Sequence, residues 1–318
     1  MIRNWALLGT VLALLSAATF VGQWLRRQTS LRLDGRTVNS FNSRVQVWWA
    51  ATVLMAVAFF WPKFTVVLFG LLAFWALREF ITLAPTRMAD HRALFWVFFF
   101  FTPMQFLLVA YENYPFYSIL IPVYAFLFIA ARVAVSGDYT RFLERVAKIQ
   151  FGLLVCVYCL SFAPALLFLK CKGTAEGDNE AGARMLLFFV TIVLFSELLQ
   201  FIFGRLFGKH LIAESIDTSR TWEGVLGGGA ATAVAGIVLY WATPFPHWWQ
   251  AGAMSVLIAL MASAGALTMS AIKRDRGEVR SGALIENHGG VLSRIDALCF
   301  AAPVFYHVTS YFFGTGGP

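Results

Sequence analysis

Residues 249–313 form an apolar–basic–apolar succession: W-Q-A-G-A-M-S-V-L-I-A-L-M-A-S-A-G-A-L-T at 249–268, S-A-I-K-R-D-R-G-E-V-R-S-G-A-L-I-E-N-H-G-G-V-L-S-R-I-D at 270–296, and A-L-C-F-A-A-P-V-F-Y-H-V-T-S-Y-F-F at 297–313. As a helix, each apolar run is long enough to cross a hydrocarbon layer of about 30 Å. The middle stretch holds five cations, a His-Gly-Gly turn at 288–290 and one late carboxylate, Asp296. The pattern predicts two membrane-spanning helices joined by a loop suited to an anionic ligand.

Apolar runs of this kind recur along the whole chain. Of the 318 residues, 59% are hydrophobic and 13% are charged, with a mean hydropathy of +0.70, whereas soluble domains carry about 25% charged residues. Backbone polar groups find no water inside a bilayer, so we expect an all-α, polytopic transmembrane helix bundle of about ten spans. Nine spans also fit, because Pro62 separates two neighbouring runs that can form one tight hairpin. The predicted spans are 5–24, 45–61, 64–83, 93–111, 115–135, 149–169, 184–204, 225–243, 249–268 and 297–313.

The distribution of cations predicts the orientation. All but five of the 25 Lys and Arg residues fall on one side of the predicted membrane, and the positive-inside rule makes that side cytoplasmic. We expect a multi-pass protein of the cell (inner) membrane, with the site loops in the cytoplasm and both termini outside. Anionic lipid headgroups account for the net charge of +8, so no nucleic-acid partner is expected. The exceptions are Arg3, Lys63, Lys170, Lys172 and Arg184.

Three carboxylates fall in or beside predicted spans. Glu79 and Glu112 lie near span ends, where we expect both to reach water. Glu197 lies well inside the run 184–204 and is followed by Gln200, so it needs a partner or a polar cavity. A functional role is predicted for Glu197, and pairing with a neighbouring helix for packing alone remains the alternative.

A second polar stretch reads F-G-R-L-F-G-K-H-L-I-A-E-S-I-D-T-S-R-T-W-E-G-V-L-G-G-G at 203–229. Lys209 and Arg220 supply positive charge just before a predicted span that T-W-E-G opens at 221–224. Free amides at a helix start and nearby cations suit a phosphate group. Cytoplasmic cations beside a helix are also common without any ligand.

Taken together, the two polar stretches resemble those of the integral-membrane CDP-diacylglycerol synthases (phosphatidate cytidylyltransferases). The resemblance lies in F-G-R-L-F-G-K-H, T-W-E-G with its glycine run, G-x-L-x-x-S-x-x-K-R at 265–274 and H-G-G-V-L-x-R-I-D at 288–296. It covers about residues 184–313. We therefore divide the chain into a transmembrane scaffold at 1–183 and a region with the catalytic motifs at 184–318.

The resemblance implies a cytoplasmic site in which CTP and phosphatidate give CDP-diacylglycerol and pyrophosphate. The phosphatidate phosphate would attack the α-phosphorus of CTP. It implies catalytic roles for Ser270, Lys273 and Asp296, and a Mg²⁺ cofactor held by Asp296 and Glu197. The residues implied to hold substrate phosphates or the nucleotide are Lys209, Arg220, Lys273, Arg274, Arg294, His288, Gly289 and Gly290.

The chain departs from the family pattern mainly at acidic positions. Ala266, Arg280 and Ser293 stand where the family has acids, and Glu197 stands in place of an Asp. The family's Ser-Pro-x-Lys-Thr-Trp corresponds to residues 217–222, which begin with Asp217 and place Arg220 at the Lys position. Mg²⁺ usually takes one or two carboxylates together with substrate phosphates. The three losses therefore disfavour a metal and favour a phosphate-rich ligand.

Two hypotheses follow for the function. The first is an active phosphatidate cytidylyltransferase with a reduced metal site, and the second is a catalytically silent or altered paralogue that binds an anionic lipid or nucleotide. A lipid transporter is disfavoured, because the two halves show no repeat and no pair of broken helices. The sequence leaves the oligomeric state open, a homodimer included.

Overall fold

The computed structural model describes residues 61–84, 86–172, 180–277 and 290–315, together with the isolated helical residues Ser16, Thr19, Trp49, Thr52 and Val57. The predicted span 5–24 and nearly all of 45–61 lie outside this part of the chain. By internal contacts the chain divides into Met1–Trp61 and Pro62–Pro318. In the first unit, Trp49 donates from Nε1 to Thr19 Oγ1 at 3.1 Å.

The second unit consists mainly of helices. In chain order they are α1 (Pro62–Leu83), α2 (Met88–Ala110), α3 (Tyr114–Ala134), α4 (Phe142–Phe168), α5 (Ala181–Phe207), α6 (Trp222–Val238), α7 (Trp248–Asp275) and α8 (Leu292–Phe313). Three of them contain a π-helical stretch: Val97–Phe101 in α2, Leu120–Ala125 in α3 and Leu154–Cys159 in α4. A short 3₁₀ turn, Tyr240–Ala242, follows α6.

These helices overlap the eight spans predicted after residue 61. All but α6 and α8 are long and apolar enough to cross a membrane by length and composition. Their outward faces carry large apolar side chains, such as Phe99 (64% exposed) and Leu127 (63% exposed). An apolar exterior of this extent suits contact with lipid. The protein is thus a polytopic helical membrane protein, while the count of ten spans stays a prediction.

One short antiparallel hairpin interrupts the helical order. Strands β1 (Leu211–Ala213) and β2 (Asp217–Thr221) lie between α5 and α6, with Leu211 opposite Thr221 and Ala213 opposite Asp217. The sequence predicted an all-α bundle and missed this hairpin. We call the end of the bundle that carries it the hairpin end; there α5 ends, α6 begins, α7 ends and α8 begins.

The last four helices pack against one another in chain order, and α8 also contacts α4 and α1. Phe189 of α5 stacks on Phe305 of α8 with ring centroids 5.2 Å apart. Phe162 of α4 meets Tyr306 of α8 at 5.2 Å. Helices on both sides of the predicted division at 183/184 therefore share one core. The division itself, based on motifs, stays a prediction.

A buried ion pair joins α2 and α4 near the hairpin end. Asp90 is fully buried, and Arg145 is 4% exposed. Arg145 donates from Nε to Asp90 Oδ2 at 3.0 Å and from Nη1 to the carbonyl oxygen of Asp138 at 2.7 Å. Both charges have close partners, as burial requires.

The opposite end of the bundle contains a cavity of about 320 Å³. Glu112, Tyr114, Tyr117, Lys170 and Tyr306 are among the residues that line it. Beside the cavity, the backbone amide of Lys172 donates to the carbonyl oxygen of Phe313, and the amide of Thr315 donates to that of Lys170. None of the predicted site residues is among those that line this cavity, whereas several of them lie at the hairpin end.

Candidate functional site

The hairpin is fixed to the start of α6 by capping contacts. Thr221 accepts the Gly224 amide through Oγ1 at 3.1 Å, which satisfies one of the free N–H groups of the first turn. Glu223 accepts the amide of Lys209 at 3.1 Å and pairs with Nδ1 of His210 at 2.5 Å. The hydrogen bond from His210, followed by backbone amides, lowers the pKa of Glu223 to about 2. These contacts hold the strand that carries Arg220.

Arg220 also belongs to a polar chain that crosses from α5 to α7. It donates from Nη1 to Gln200 Oε1 at 3.4 Å, and Ser263 donates to the same oxygen at 2.8 Å. Gln200 in turn donates from Nε2 to the carbonyl oxygen of Ala259 at 3.1 Å. Gln200 is 7% exposed, so its amide has the partners that a buried polar group needs.

Asp217 is a carboxylate in this region that the family resemblance did not assign to the site. Its Oδ2 accepts the hydroxyl of Ser270 at 3.1 Å and lies 3.7 Å from Nε of Arg220. Burial alone would raise the pKa of Asp217, but hydrogen bonds from Ser219 and Ser270 and the charge of Arg220 together lower it. An ionised carboxylate therefore lies among residues predicted to bind phosphate.

The last turns of α7 place two predicted cations at the hairpin end. Lys273 donates from Nζ to Ser293 Oγ at 2.7 Å, which joins α7 to the first turn of α8. Arg274 donates from Nε to the carbonyl oxygen of Ile216 at 3.2 Å, which joins α7 to the hairpin turn. Ser293 stands at a position where the family pattern has an acid. It is thus a direct partner of Lys273, which is predicted to bind a substrate phosphate.

Asp296 lies in the first turns of α8, three residues after Ser293. The positive charges of Arg220 and Lys273 both act on its carboxylate, which is 5% exposed. A Cβ atom on Gly265 would lie 2.8 Å from the Asp296 carbonyl oxygen, so only glycine allows α7 and α8 to approach this closely. Ala266, the next residue, is 6% exposed. Strand β2 and the adjoining ends of α7 and α8 are joined directly by the bonds from Ser270 to Asp217 and from Lys273 to Ser293.

Further predicted site residues that the structure describes lie on α5, on the hairpin and on α8. Glu197 is half-buried in α5, one turn before Gln200, and Lys209 is exposed at the start of the hairpin. Arg294 lies in the first turn of α8. Arg280, His288 and Gly289 lie outside the described residues, so their predicted roles stay predictions.

One carboxylate from the first half of the chain reaches the same place. Glu79 of α1 is only 7% exposed, so the prediction that it reaches water is wrong. Its Oε2 accepts the amide of Leu292, the first residue of α8, at 3.1 Å. A Cβ atom on Gly290 would collide with its Oε1. No sequence pattern could have found this contact, because the two partners are 213 residues apart.

Comparison with known proteins identifies the family. The family model described as "Cytidylyltransferase family" matches residues 42–312 of this chain. The chain belongs to the cytidylyltransferase family. The match extends well before residue 184, where the motifs read from the sequence begin.

Relatives of this cytidylyltransferase family member fall into two groups. The protein described as "Uncharacterized protein YnbB" from Escherichia coli (strain K12) is 30% identical over 305 residues, which covers 96% of this chain and 97% of that protein. A phosphatidate cytidylyltransferase of Brucella abortus biovar 1 (strain 9-941) is 31% identical over 131 residues, or 41% of this chain. That of Synechocystis sp. (strain ATCC 27184 / PCC 6803 / Kazusa) is 36% identical over 108 residues, or 34% of this chain. The matched parts span 48% and 36% of those two enzymes.

A metal ion at the hairpin end would need several carboxylate, imidazole or thiolate ligands close together. Within residues 61–277 and 290–315, apart from the short undescribed gaps, no group of three or more His, Cys, Asp or Glu side chains is arranged to hold a metal ion. Two cations, Arg220 and Lys273, act electrostatically on Asp296, and the Ser293 hydroxyl contacts Lys273. These side chains suit the phosphates of a substrate better than a metal.

Proposed function

We propose that this protein transfers a cytidylyl group from CTP to phosphatidate at the hairpin end. In this reaction an oxygen of the phosphatidate phosphate attacks the α-phosphorus of CTP. The bond from that phosphorus to the bridging oxygen breaks, and pyrophosphate leaves, so the products are CDP-diacylglycerol and pyrophosphate. The proposal rests on family membership and on the phosphatidate cytidylyltransferases among the relatives.

The observation that carries the proposal is the joining of β2, α7 and α8 at the hairpin end, where Ser270 donates to Asp217 and Lys273 donates to Ser293. Phosphoryl transfer needs positioning and neutralisation of negative charge more than covalent chemistry from the protein. Arg220 and Lys273 would contact phosphate oxygens, and Ser270 would orient the nucleotide beside them. The site lies where the helices of a membrane protein end, so a lipid phosphate and a soluble nucleotide can both approach it.

A direct assay tests the proposal. Purified protein in detergent would receive radiolabelled CTP, phosphatidate and a Mg²⁺ titration, with a preparation from empty membranes as the control. Labelled CDP-diacylglycerol above the control is expected, and a chelator arm measures the metal requirement implied by the family. If no labelled lipid forms at any Mg²⁺ concentration, the proposed activity is wrong.

Lys273 offers a sharper test of the phosphate contacts. We expect Lys273→Gln to lower kcat/KM by about 10- to 100-fold, because a hydrogen bond to a charged group contributes about 1.5–3 kcal/mol. Lys148→Gln is the matched control: this lysine pairs with Glu144 on α4 and contacts none of the site residues named above. Equal effects of the two substitutions would show that Lys273 has no special role.

The second candidate function is binding of CTP or an anionic lipid without turnover. It is favoured by the contact of Lys273 with a hydroxyl, Ser293, at a position where the family has an acid. The variant Ala266→Asp, Arg280→Asp, Ser293→Asp restores the three acids. If the wild type is silent but shifts its unfolding temperature with CTP or phosphatidate, and the triple variant gains Mg²⁺-dependent activity, this candidate is supported. A wild type as active as the triple variant excludes it.

A further inference from the structure

Glu79 holds the segment of chain that leads into α8. Its two carboxylate oxygens have different surroundings: Oε2 accepts the Leu292 amide at 3.1 Å, and Oε1 packs against Gly290. The side chain is 93% buried, and Oε1 has no hydrogen-bond partner within the described part of the chain. A buried carboxylate with an unsatisfied oxygen is costly, so its presence calls for a reason beyond packing.

The helix start that Glu79 holds is the one that carries the site residues. Ser293 follows Leu292 directly, and Asp296 lies three residues further along, on the same face of the helix as Ser293. Ser293 contacts Lys273, and Asp296 interacts with Lys273 and Arg220. A rotation or shift of the first turn of α8 would therefore move both contacts at once.

The electrostatics of this contact are also favourable. A negative charge beside the first amides of a helix stabilises the helix, and more strongly where the charge is partly buried. Because Glu79 occupies the Leu292 amide, that N–H group is not available to a substrate phosphate. The phosphates would then be held by side-chain cations such as Arg220 and Lys273 rather than by this amide.

We propose that Glu79 is a positioning residue of the site: it fixes the Gly290–Leu292 turn so that the first turn of α8 delivers Ser293 and Asp296 to Lys273 and Arg220. The proposal rests on the proposed function for its catalytic consequence. It also assigns a reason to the second glycine of His-Gly-Gly, since any larger residue at 290 would displace the carboxylate.

The kinetic test compares Glu79→Ala with the conservative variant Glu79→Gln. Alanine removes the acceptor for the Leu292 amide, so we expect kcat to fall by about 100-fold, the loss typical of a misplacement of about 1 Å. The KM for CTP should change by less than about threefold, because the phosphate-binding cations stay on β2 and α7. Glutamine retains an acceptor oxygen and should restore most of kcat. Glu112→Ala, at the opposite end, is the control and should leave both constants unchanged.

Gly290→Ala provides an independent variant that keeps the carboxylate and pushes it aside. It should reproduce the loss of kcat seen with Glu79→Ala, again with little change in KM. If Glu79→Ala and Gly290→Ala both keep the wild-type kcat, Glu79 does not position the site. A fall in unfolding temperature with unchanged kcat would reduce Glu79 to a structural role and likewise overturn the proposal.

Hydrogen exchange separates this proposal from the proposed function. In Glu79→Ala, the amides at 292–295 should exchange faster than in the wild type, while those in the middle of α7 should not change. Glu79→Gln should exchange like the wild type. If the wild type forms no CDP-lipid yet this exchange pattern holds, the proposed function fails but Glu79 still positions α8. Unchanged exchange in Glu79→Ala would overturn the positioning itself.

Discussion

At the scale of single residues, Asp217 adds a negative charge to the candidate site that the three replaced acids do not reveal. Three acids of the family pattern are absent, at Ala266, Arg280 and Ser293. Asp217, in contrast, is an acid at a position where the family has Ser. In the structure this carboxylate lies beside Ser270 and Arg220. This end of the bundle is therefore less positive than the motif comparison indicates, and under the proposed function Asp217 would compete with a substrate phosphate for Ser270 and Arg220.

Asp217→Asn is expected to tighten CTP binding. Removing one negative charge beside a bound phosphate is worth about 1 kcal/mol in a solvated site, or about a fivefold lower Kd. Because the pKa of Asp217 is lowered, the group stays ionised down to its unfolded value of about 4 and below. The effect should therefore be constant from pH 5 to 8 and disappear only as the pH falls through the folded pKa.

Equilibrium binding of labelled CTP across this pH range measures the effect. Asp138→Asn is the control, because that acid lies on the loop between α3 and α4 and pairs with Arg87 and Arg145 instead of with residues of the site. A weaker affinity in Asp217→Asn would mean that the carboxylate orients Ser270 and Arg220 for the ligand rather than competing with it.

At the scale of elements, the glycine run of α6 sets the distance between α5 and α6. A Cβ atom on Gly228 would lie 2.6 Å from the backbone of Gln200, whereas a Cβ atom on Gly229 would meet nothing within 4 Å. Gly228→Ala should therefore destabilise the protein by about 1–3 kcal/mol through overpacking. Gly229→Ala should be neutral or stabilise it by up to about 1 kcal/mol, the helix preference of Ala over Gly.

Thermal unfolding of the two adjacent variants in the same detergent provides the measurement. Gly228→Ala should also weaken CTP binding, because the displaced Gln200 is a partner of Arg220. Equal unfolding temperatures for the two variants would contradict the close contact of α5 and α6.

The ion pair between α2 and α4 should contribute to stability mainly through the cost of breaking it. Arg145→Met leaves Asp90 buried without its charged partner, for which a loss of about 3–5 kcal/mol is expected. The exposed pair of Glu144 and Lys148 is the control, since surface pairs are worth about 0–1 kcal/mol. The combined variant Arg145→Met, Asp90→Leu should recover much of the loss, as measured by unfolding in detergent. No recovery would assign the loss to the carbonyl contacts of Arg145 instead.

At the scale of the whole molecule, the sequence predicted the helices well and their contacts poorly. Long apolar segments are stable only in lipid or in a protein core, so each span predicted after residue 61 corresponds to a helix. The hairpin 211–221 was missed because its strands have only three and five residues, too short for an alternating pattern. Glu79 was misjudged because it contacts Gly290 and Leu292, and Leu292 lies 213 residues later in the chain. Local motifs predicted site roles for Ser270, Lys273 and Asp296, but not the contact of Glu79 with Leu292 at the start of the same helix as Asp296.

The orientation of the bundle gives the last prediction, which concerns the side of the membrane on which the site lies. Asn113 lies between α2 and α3, and Ser136 follows α3, so one helix places them at opposite ends. In a variant with the four native cysteines replaced by Ala, Asn113→Cys should react with a membrane-impermeant thiol reagent in intact cells. Ser136→Cys should react only after permeabilisation, because cations such as Arg132 and Arg141 place its loop in the cytoplasm. The reverse pattern would put the hairpin end outside, away from cytoplasmic CTP, and the proposed reaction could not take place there.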